Sequence, residues 1–188
     1  DDCTDNDLYL NAATSLHKLQ PSSQSAYFLY KLNAARGNFD EAVKYISEAL
    51  TYPEISVETA ADYNYEAATF CVKNGKNAKA LEFANKSMEL ADSYKGKAYF
   101  LIGTIWGATT CGGDEISRRA PYWVAYDYMA KAKEADPSLA EDCNRMMSQY
   151  RVYFPQTAEA FMYDLTDGKP YKVSCNGMTA NTTVRTQK

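Results

Sequence analysis

Small and apolar residues recur at helical spacing along most of the chain, and the pattern repeats. Three segments align, namely residues 30–50, residues 68–88, and a third one split into 103–110 and 122–137. Each contains a first predicted helix, a turn, and a second helix with two small residues seven positions apart. These pairs are Ala42/Ala49, Ala80/Ser87 and Ala125/Ala132. Seven residues make two helical turns, so each pair lies on one face and lets two helices approach closely.

The spacing of the pairs measures the repeat. Ala42 and Ala80 are 38 residues apart, and Ala80 and Ala125 are 45 apart. The third segment has 10 additional residues between Gly103 on its first helix and Ala125, and without them the second spacing becomes 35. Both values are close to the roughly 34 residues of a tetratricopeptide repeat.

At these residues the sequence resembles the tetratricopeptide-repeat (TPR) family over about residues 5–137. Tyr30 and Ala68 depart from the family, which usually has glycine there. The resemblance implies an all-α, right-handed superhelical array of antiparallel helix pairs.

The periodicity predicts helices at approximately 5–19, 23–36, 39–51, 57–74, 77–91, 95–109, 120–135 and 138–152. Gly37 and Gly75 follow first helices, where a left-handed residue is favoured. Asn38 and Ser138 each precede a glutamate by three positions, which is the capping-box arrangement. Pro121 suits a first helical turn.

The predicted repeat domain covers residues 1–155. It contains a half repeat at 5–22, repeats at about 23–53, 57–92 and 95–137, and a capping helix at 138–152. The capping helix has an apolar stripe of Leu139, Cys143, Met146 and Tyr150. Residues 156–188 predict a short helix and a small two-stranded β appendage, with a turn at Asp167–Gly168.

Composition excludes some function classes. The net charge of -4 and the pI of about 5.1 argue against nucleic-acid binding, which needs a basic surface. No apolar run approaches the roughly 18 residues of a membrane span. The chain begins with Asp1 and not with methionine, so we expect it to be processed or part of a longer protein.

Five widely spaced cysteines offer neither a zinc knuckle nor a redox CxxC pair. Cys71 and Cys143 fall on apolar helical faces and are predicted to be buried and unreactive. Cys111 is predicted to be the most accessible thiol of the central array. Cys3, Cys111 and Cys175 leave room for one long-range disulfide if the protein is exported.

Nothing in the sequence predicts catalysis. His17 is the single histidine, and HExxH, GxSxG and GxxxxGK motifs do not occur. We therefore expect no enzyme, no metal site and no cofactor.

The insertion at 109–119 is the most unusual local feature, and its candidate residues are Cys111, Asp114, Glu115, Arg118 and Arg119. Two interpretations remain. Long loops often carry function. Alternatively, and favoured here, the loop folds back, with arginines paired to the acids and helix ends capped.

In the TPR family the first helices line a concave groove. The positions projected onto it, called the first-helix set below, are Gln24, Tyr27, Lys31, Asp62, Tyr65, Thr69, Lys97, Phe100 and Thr104. Tyr27, Tyr65 and Phe100 are equivalent positions and predict an aromatic ladder, although such rings also fill space between helices. They stand where a peptide-carboxylate clamp would need lysine, which disfavours that activity.

Residues 96–188 resemble an exported Bacteroidetes repeat family through CGGDE, YWVAYDY, AKEADPSLAED, YFP, DLTDGKPY and TTVRT. The resemblance implies a periplasmic or cell-surface location. We expect a non-catalytic protein- or peptide-binding scaffold. The alternative is a glycan-binding accessory protein, because aromatic ladders also stack on sugar rings.

Residues 7–22 resemble the second helix of a repeat whose first helix is missing. Their predicted apolar stripe contains Leu8, Ala12, Ala13, Leu16 and Leu19. Either residues before Asp1 complete the repeat, or a second copy covers the stripe in a weak homodimer through residues 7–20. If the stripe packs on the next helix instead, residues 5–19 are simply a cap.

Overall fold

The computed structural model describes residues 7–187. The fold is mostly helical and carries a small two-stranded antiparallel sheet. The elements are α1 Asp7–Leu19, α2 Ser23–Ala35, α3 Phe39–Ala49, α4 Val57–Lys73, α5 Asn77–Leu90, α6 Lys95–Gly107, α7 Glu115–Ala135, α8 Ala140–Arg151, α9 Thr157–Phe161, β1 Pro170–Cys175 and β2 Met178–Thr183. Most predicted helices are confirmed within a few residues, and positions 5 and 6 lie outside the described part.

Helices α2/α3, α4/α5 and α6/α7 form three hairpins, whose members contact each other more extensively than they contact other helices. The Ser23 hydroxyl at the start of α2 donates to the Ala49 carbonyl at the end of α3 over 2.9 Å. Ser87 near the end of α5 donates to Ala61 near the start of α4 over 2.8 Å. The two bonds join equivalent positions with donor and acceptor exchanged, so both hairpins are antiparallel.

The small-residue pairs lie where helices touch. All six of their side chains are fully buried, namely Ala42, Ala49, Ala80, Ser87, Ala125 and Ala132. In the third hairpin, α6 approaches α7 at Gly103. A Cβ atom there would lie 2.9 Å from Met129 Cε and 3.2 Å from the Ala125 carbonyl oxygen, so a larger residue would push the helices apart.

Helix ends match the predictions in part. Gly37 and Gly75 have φ of +73° and +68°, which confirms the left-handed turns. The capping boxes predicted at Asn38 and Ser138 are wrong. Asn38 donates instead to the side chain of Asn33. Ser138 lies inside a short 3-10 turn that is capped by Asp136.

Helix α7 begins at Glu115, five residues before its predicted start. Asp114 caps it by accepting a hydrogen bond from the Ser117 backbone N–H over 2.7 Å. Pro121 therefore lies inside the helix and not in its first turn, and the Ser117 carbonyl has no N–H donor four residues on. The good cap at Asp114 moves the helix start upstream of the proline.

Helix α1 docks through His17, through the Asp7–Arg36 ion pair and through the Tyr9 ring against Phe28. His17 is buried, and its ring nitrogens bond the Ser25 hydroxyl at 2.7 Å and the Glu48 carboxylate at 2.9 Å. The predicted stripe faces away from this contact, since Leu16 and Leu19 are 59% and 80% exposed. Leu16 and Leu19 of the predicted stripe are therefore not buried against α2.

The C-terminal residues pack back onto α7 and α8. Cys143, Met147 and Tyr150 bury the inner face of α8. Strands β1 and β2 pair in register from Pro170↔Thr183 to Cys175↔Met178, and the Tyr171 ring meets Trp123 of α7 edge to face. The predicted hairpin is confirmed.

A disulfide joins Cys111, in the connection between α6 and α7, to Cys175 at the end of β1. The prediction that Cys111 is an accessible thiol is therefore wrong, because the half-cystine is bonded and 5% exposed. Cys71 and Cys143 are fully buried, as predicted. Burial raises the pKa of the Cys71 thiol to about 11 and also raises that of Cys143. Cys3 lies outside the described residues.

No helix within residues 7–187 combines the length and apolar character needed to cross a bilayer.

The thiol pattern makes a direct prediction. In a Cys3→Ser variant, reduction without denaturant should allow iodoacetamide to label the partly exposed Cys175 first, while the buried Cys71 and Cys143 react only after unfolding. The bond closes a loop of sequence separation 64, so replacing both half-cystines with alanine should lower the unfolding free energy by about 2–4 kcal/mol. Peptide mass spectrometry and urea melts measure the two effects. Rapid native labelling of Cys71 would contradict the packing described here.

Candidate functional site

Two residues of the first-helix set on α2, Tyr27 and Lys31, contact side chains of α4. The Tyr27 ring stacks on Tyr63, with ring centroids 4.0 Å apart and planes 2° from parallel. The Tyr27 hydroxyl donates to one Glu66 carboxylate oxygen at 2.5 Å, and Lys31 Nζ lies 2.5 Å from the other. Glu66 therefore holds two side chains of the neighbouring first helix.

A second contact joins α4 to the start of α6. The Tyr94 hydroxyl donates to Asp62 over 2.8 Å, and its ring meets Tyr65 edge to face at 5.9 Å. Lys97 Nζ lies 3.5 Å from the Tyr94 ring centroid and 4.8 Å from that of Tyr65, within cation–π range. Together, the two contacts place α2, α4 and α6 side by side.

The same arrangement, a lysine ammonium group close to two tyrosine rings, occurs at three places in the described structure. Lys31 lies 5.7 and 6.0 Å from the ring centroids of Tyr27 and Tyr30, as Lys97 does beside Tyr65 and Tyr94. Outside the first-helix set, Lys131 contacts two more tyrosine rings, one on α6 and one on α7. Each lysine keeps its ammonium group at the surface while restricting the rings below it.

The phenols stay neutral donors at physiological pH. Burial, followed by the hydrogen bond to Glu66, raises the pKa of Tyr27 well above its ordinary value. Burial and the bond to Asp62 raise the pKa of Tyr94 to about 12. Burial also raises the pKa of Tyr65. The hydroxyl–carboxylate bonds that join the helices therefore persist through the neutral range.

The rings of the predicted ladder have other partners. Tyr27 stacks on Tyr63, Tyr65 contacts Tyr94, and Phe100 packs against the core. Tyr27 and Tyr65 thus each pair with a tyrosine outside the predicted ladder, whereas Phe100 packs against the core. The hydroxyls of Thr69 and Thr104 donate to backbone carbonyls of their own helices.

Gln24 lies at a cavity of about 370 Å³ between the first turns of α2 and α4. Its wall is rich in hydroxyl groups, among them Ser22 and Ser56, which cap the two helices. Tyr63 also lines this cavity, so the stacked Tyr27–Tyr63 pair connects the cavity to the first-helix set.

The predicted loop candidates form a structural unit. Glu115 pairs with Arg118 at 3.0 Å and with Arg119 at 2.5 Å, and Arg119 reaches Glu159 of α9 at 3.0 Å. Arg119 lowers the pKa of Glu115, and hydrogen bonds from Ser117 lower that of Asp114. With Cys111 in a disulfide, these residues fix the start of α7, as in the second interpretation.

Within residues 7–187, no group of three histidine, cysteine, aspartate or glutamate side chains is placed to hold a metal ion. His17 bonds Ser25 and Glu48 through its two ring nitrogens, and both partners are structural.

Sequence reasoning missed Tyr63, Glu66 and Tyr94, which complete the contacts. Tyr63 and Glu66 are three residues apart and share one face of α4, directly beside the predicted Asp62 and Tyr65. That spacing was visible in the sequence. The partners across the helices were not, because they depend on how the hairpins stack.

Comparison of the sequence with protein-family models and with characterised proteins gives no match.

Proposed function

We propose that the chain is a non-catalytic protein- or peptide-binding scaffold of the bacterial cell envelope. In this proposal its three hairpins form a right-handed, TPR-like superhelical array, α8 is the capping helix, and the first-helix set lines the binding surface. The antiparallel hairpins, the buried small-residue pairs and the repeat spacing support the TPR-like arrangement.

One observation carries the proposal: side-chain contacts join α2, α4 and α6 into a surface of half-buried tyrosines with fixed lysines and carboxylates. Tyrosine supplies a large apolar contact area and a polar group at low entropic cost. Rings that are held before binding lose little freedom on binding, which favours affinity for a partner protein.

The disulfide supports an exported location. Bonds such as Cys111–Cys175 persist in oxidising compartments, including the periplasm and the cell surface. The resemblance of residues 96–188 to an exported family points the same way.

A glycan-binding accessory protein is the second candidate. The hydroxyl-rich cavity beside Gln24 favours it, because sugar hydroxyls pair well with Ser56, Thr59 and Glu54. Against it, the Tyr27 and Tyr63 rings cover one face of each other, which leaves less ring surface for a sugar.

Weak self-association through α1 is part of the proposal. Leu16 and Leu19 lie on one exposed helical face, and a two-fold axis would pair that face with itself. Burying even part of it would contribute a few kcal/mol at about 25 cal/mol per Å², which suits a weak dimer.

The binding surface is tested at Tyr65. Tyr65→Ala removes a ring that Lys97 and Tyr94 hold in place, so it should weaken binding to a partner captured from envelope extract at least tenfold, about 1.4 kcal/mol. Tyr163→Ala is the matched control, since Tyr163 is exposed and lies beyond α9. Purified components and calorimetry give the affinities. Oligosaccharide binding that disappears in Tyr65→Ala would replace the protein partner with a glycan, and equal losses in both variants would refute the surface.

The dimer is tested by sedimentation equilibrium. The parent chain should associate weakly at high concentration, and Leu16→Glu should make it monomeric, because a charge cannot be buried against its own symmetry mate. Lys18→Glu also introduces a glutamate, at an exposed position about 100° around the helix from Leu19, and should leave association unchanged. A parent chain that stays monomeric at every concentration would rule out the dimer.

A further inference from the structure

A cavity of about 840 Å³ lies between α7, the end of α8 and the C-terminal residues. Its walls include Tyr126 from α7, Arg151 and Val152 from the end of α8, and Arg185 and Thr186 after β2. None of these residues belongs to the first-helix set. The volume falls within the range of small-ligand pockets.

The C-terminal wall of this cavity is held in place by hydrogen bonds. The Gln187 side-chain amide donates to the carbonyls of Val152 and Phe154, each over 2.9 Å, and thereby satisfies backbone groups at the end of α8. The backbone N–H of Thr186 donates to Asp167 over 2.8 Å. The chain's own hydrogen bonds therefore fix this wall of the cavity.

Arg185 has its charge neutralised inside the wall. Its Nε atom lies 3.2 Å from Asp127, its Nη2 atom pairs with the same carboxylate, and Thr182 also donates to Asp127 over 2.6 Å. Its guanidinium carbon lies 4.7 Å from the Tyr126 ring centroid. Arg185 is thus a structural member of the wall.

Arg151 differs from every other arginine within residues 7–187. The other five each pair with a carboxylate, in ion pairs that involve Arg36, Arg118, Arg119, Arg145 and Arg185. Arg151 is exposed and has no such partner among the described residues. It donates to the Tyr126 hydroxyl at 2.5 Å, and its guanidinium carbon lies 5.2 Å from that ring's centroid. A guanidinium has five N–H donors, so most of its hydrogen-bonding capacity remains.

We propose that this pocket binds the carboxylate of a small ligand, with Arg151 as the group that recognises it. A planar guanidinium bonds a carboxylate through two parallel N–H groups, and the Tyr126 contact restrains it beforehand. The positive charges of the two guanidiniums are balanced by two carboxylates. Asp127 is bonded to Arg185, and Asp167 lies in the cavity wall. A singly charged acid therefore fits the local charge better than a phosphate dianion does.

The carboxylate could belong to an acidic peptide or to an acidic sugar, and the test distinguishes the two. The probes are an acetylated, amidated Gly-Glu-Gly peptide, its Gly-Gln-Gly counterpart, glucuronate, and inorganic phosphate. Each is titrated into the full chain and followed by the NMR signals of the Tyr126 ring and the Arg151 Nε–H group. We expect saturable binding of the glutamate peptide, of glucuronate or of both, and none of the glutamine peptide.

Arg151→Gln should weaken that binding at least tenfold. Arg145→Gln is the matched control, because Arg145 lies on the same helix, outside the cavity, and pairs with Asp142. Arg151 is exposed, so its variant should keep the parent melting temperature, and a melt checks this. The proposal is overturned if no carboxylate probe saturates, if phosphate binds more tightly than both acids, or if the two arginine variants bind equally well. Since the first-helix set is untouched, a negative result here leaves the proposed scaffold surface standing.

Discussion

The close approach of two helices at small residues is the contact on which the rest of this structure depends. In each hairpin a second helix carries a pair of small side chains without exposed surface, such as Ala80 and Ser87. The approach is near enough for Ser87 to donate across to the Ala61 carbonyl, as Ser23 does to Ala49. A larger side chain at these positions would separate the helices and break those bonds.

The surface chemistry follows from that packing. Because the hairpins are narrow and stack next to one another, α2, α4 and α6 lie close enough for Glu66 to hold Tyr27, and for Asp62 to hold Tyr94. At the other end of the chain, the disulfide and the Arg185–Asp127 pair fasten the C-terminal residues to the third hairpin. Both proposed binding regions are thus assembled by contacts between elements, and neither belongs to a single helix.

Helical periodicity and helix-end signals were sufficient to predict most helices, the left-handed turns at Gly37 and Gly75, and the burial of Cys71 and Cys143. Those features depend on local periodicity and on the ability of glycine to adopt a left-handed backbone conformation. The start of α7 was missed because Pro121 was taken as the start signal, while the cap at Asp114 is the stronger one. Arg185 and Asp127 are 58 positions apart, and only the folded chain brings them together.

The close approach of the helices can be tested directly at one position in α5. Ala80 is fully buried between helices, whereas the adjacent Lys79 is exposed. Both can be changed to leucine, which places the same side chain at the helix contact in one variant and at the surface in the other. We expect Ala80→Leu to lower the unfolding free energy by about 1–3 kcal/mol in urea melts, and Lys79→Leu to change it by less than about 0.5 kcal/mol. Equal effects of the two substitutions would contradict the close approach of the helices.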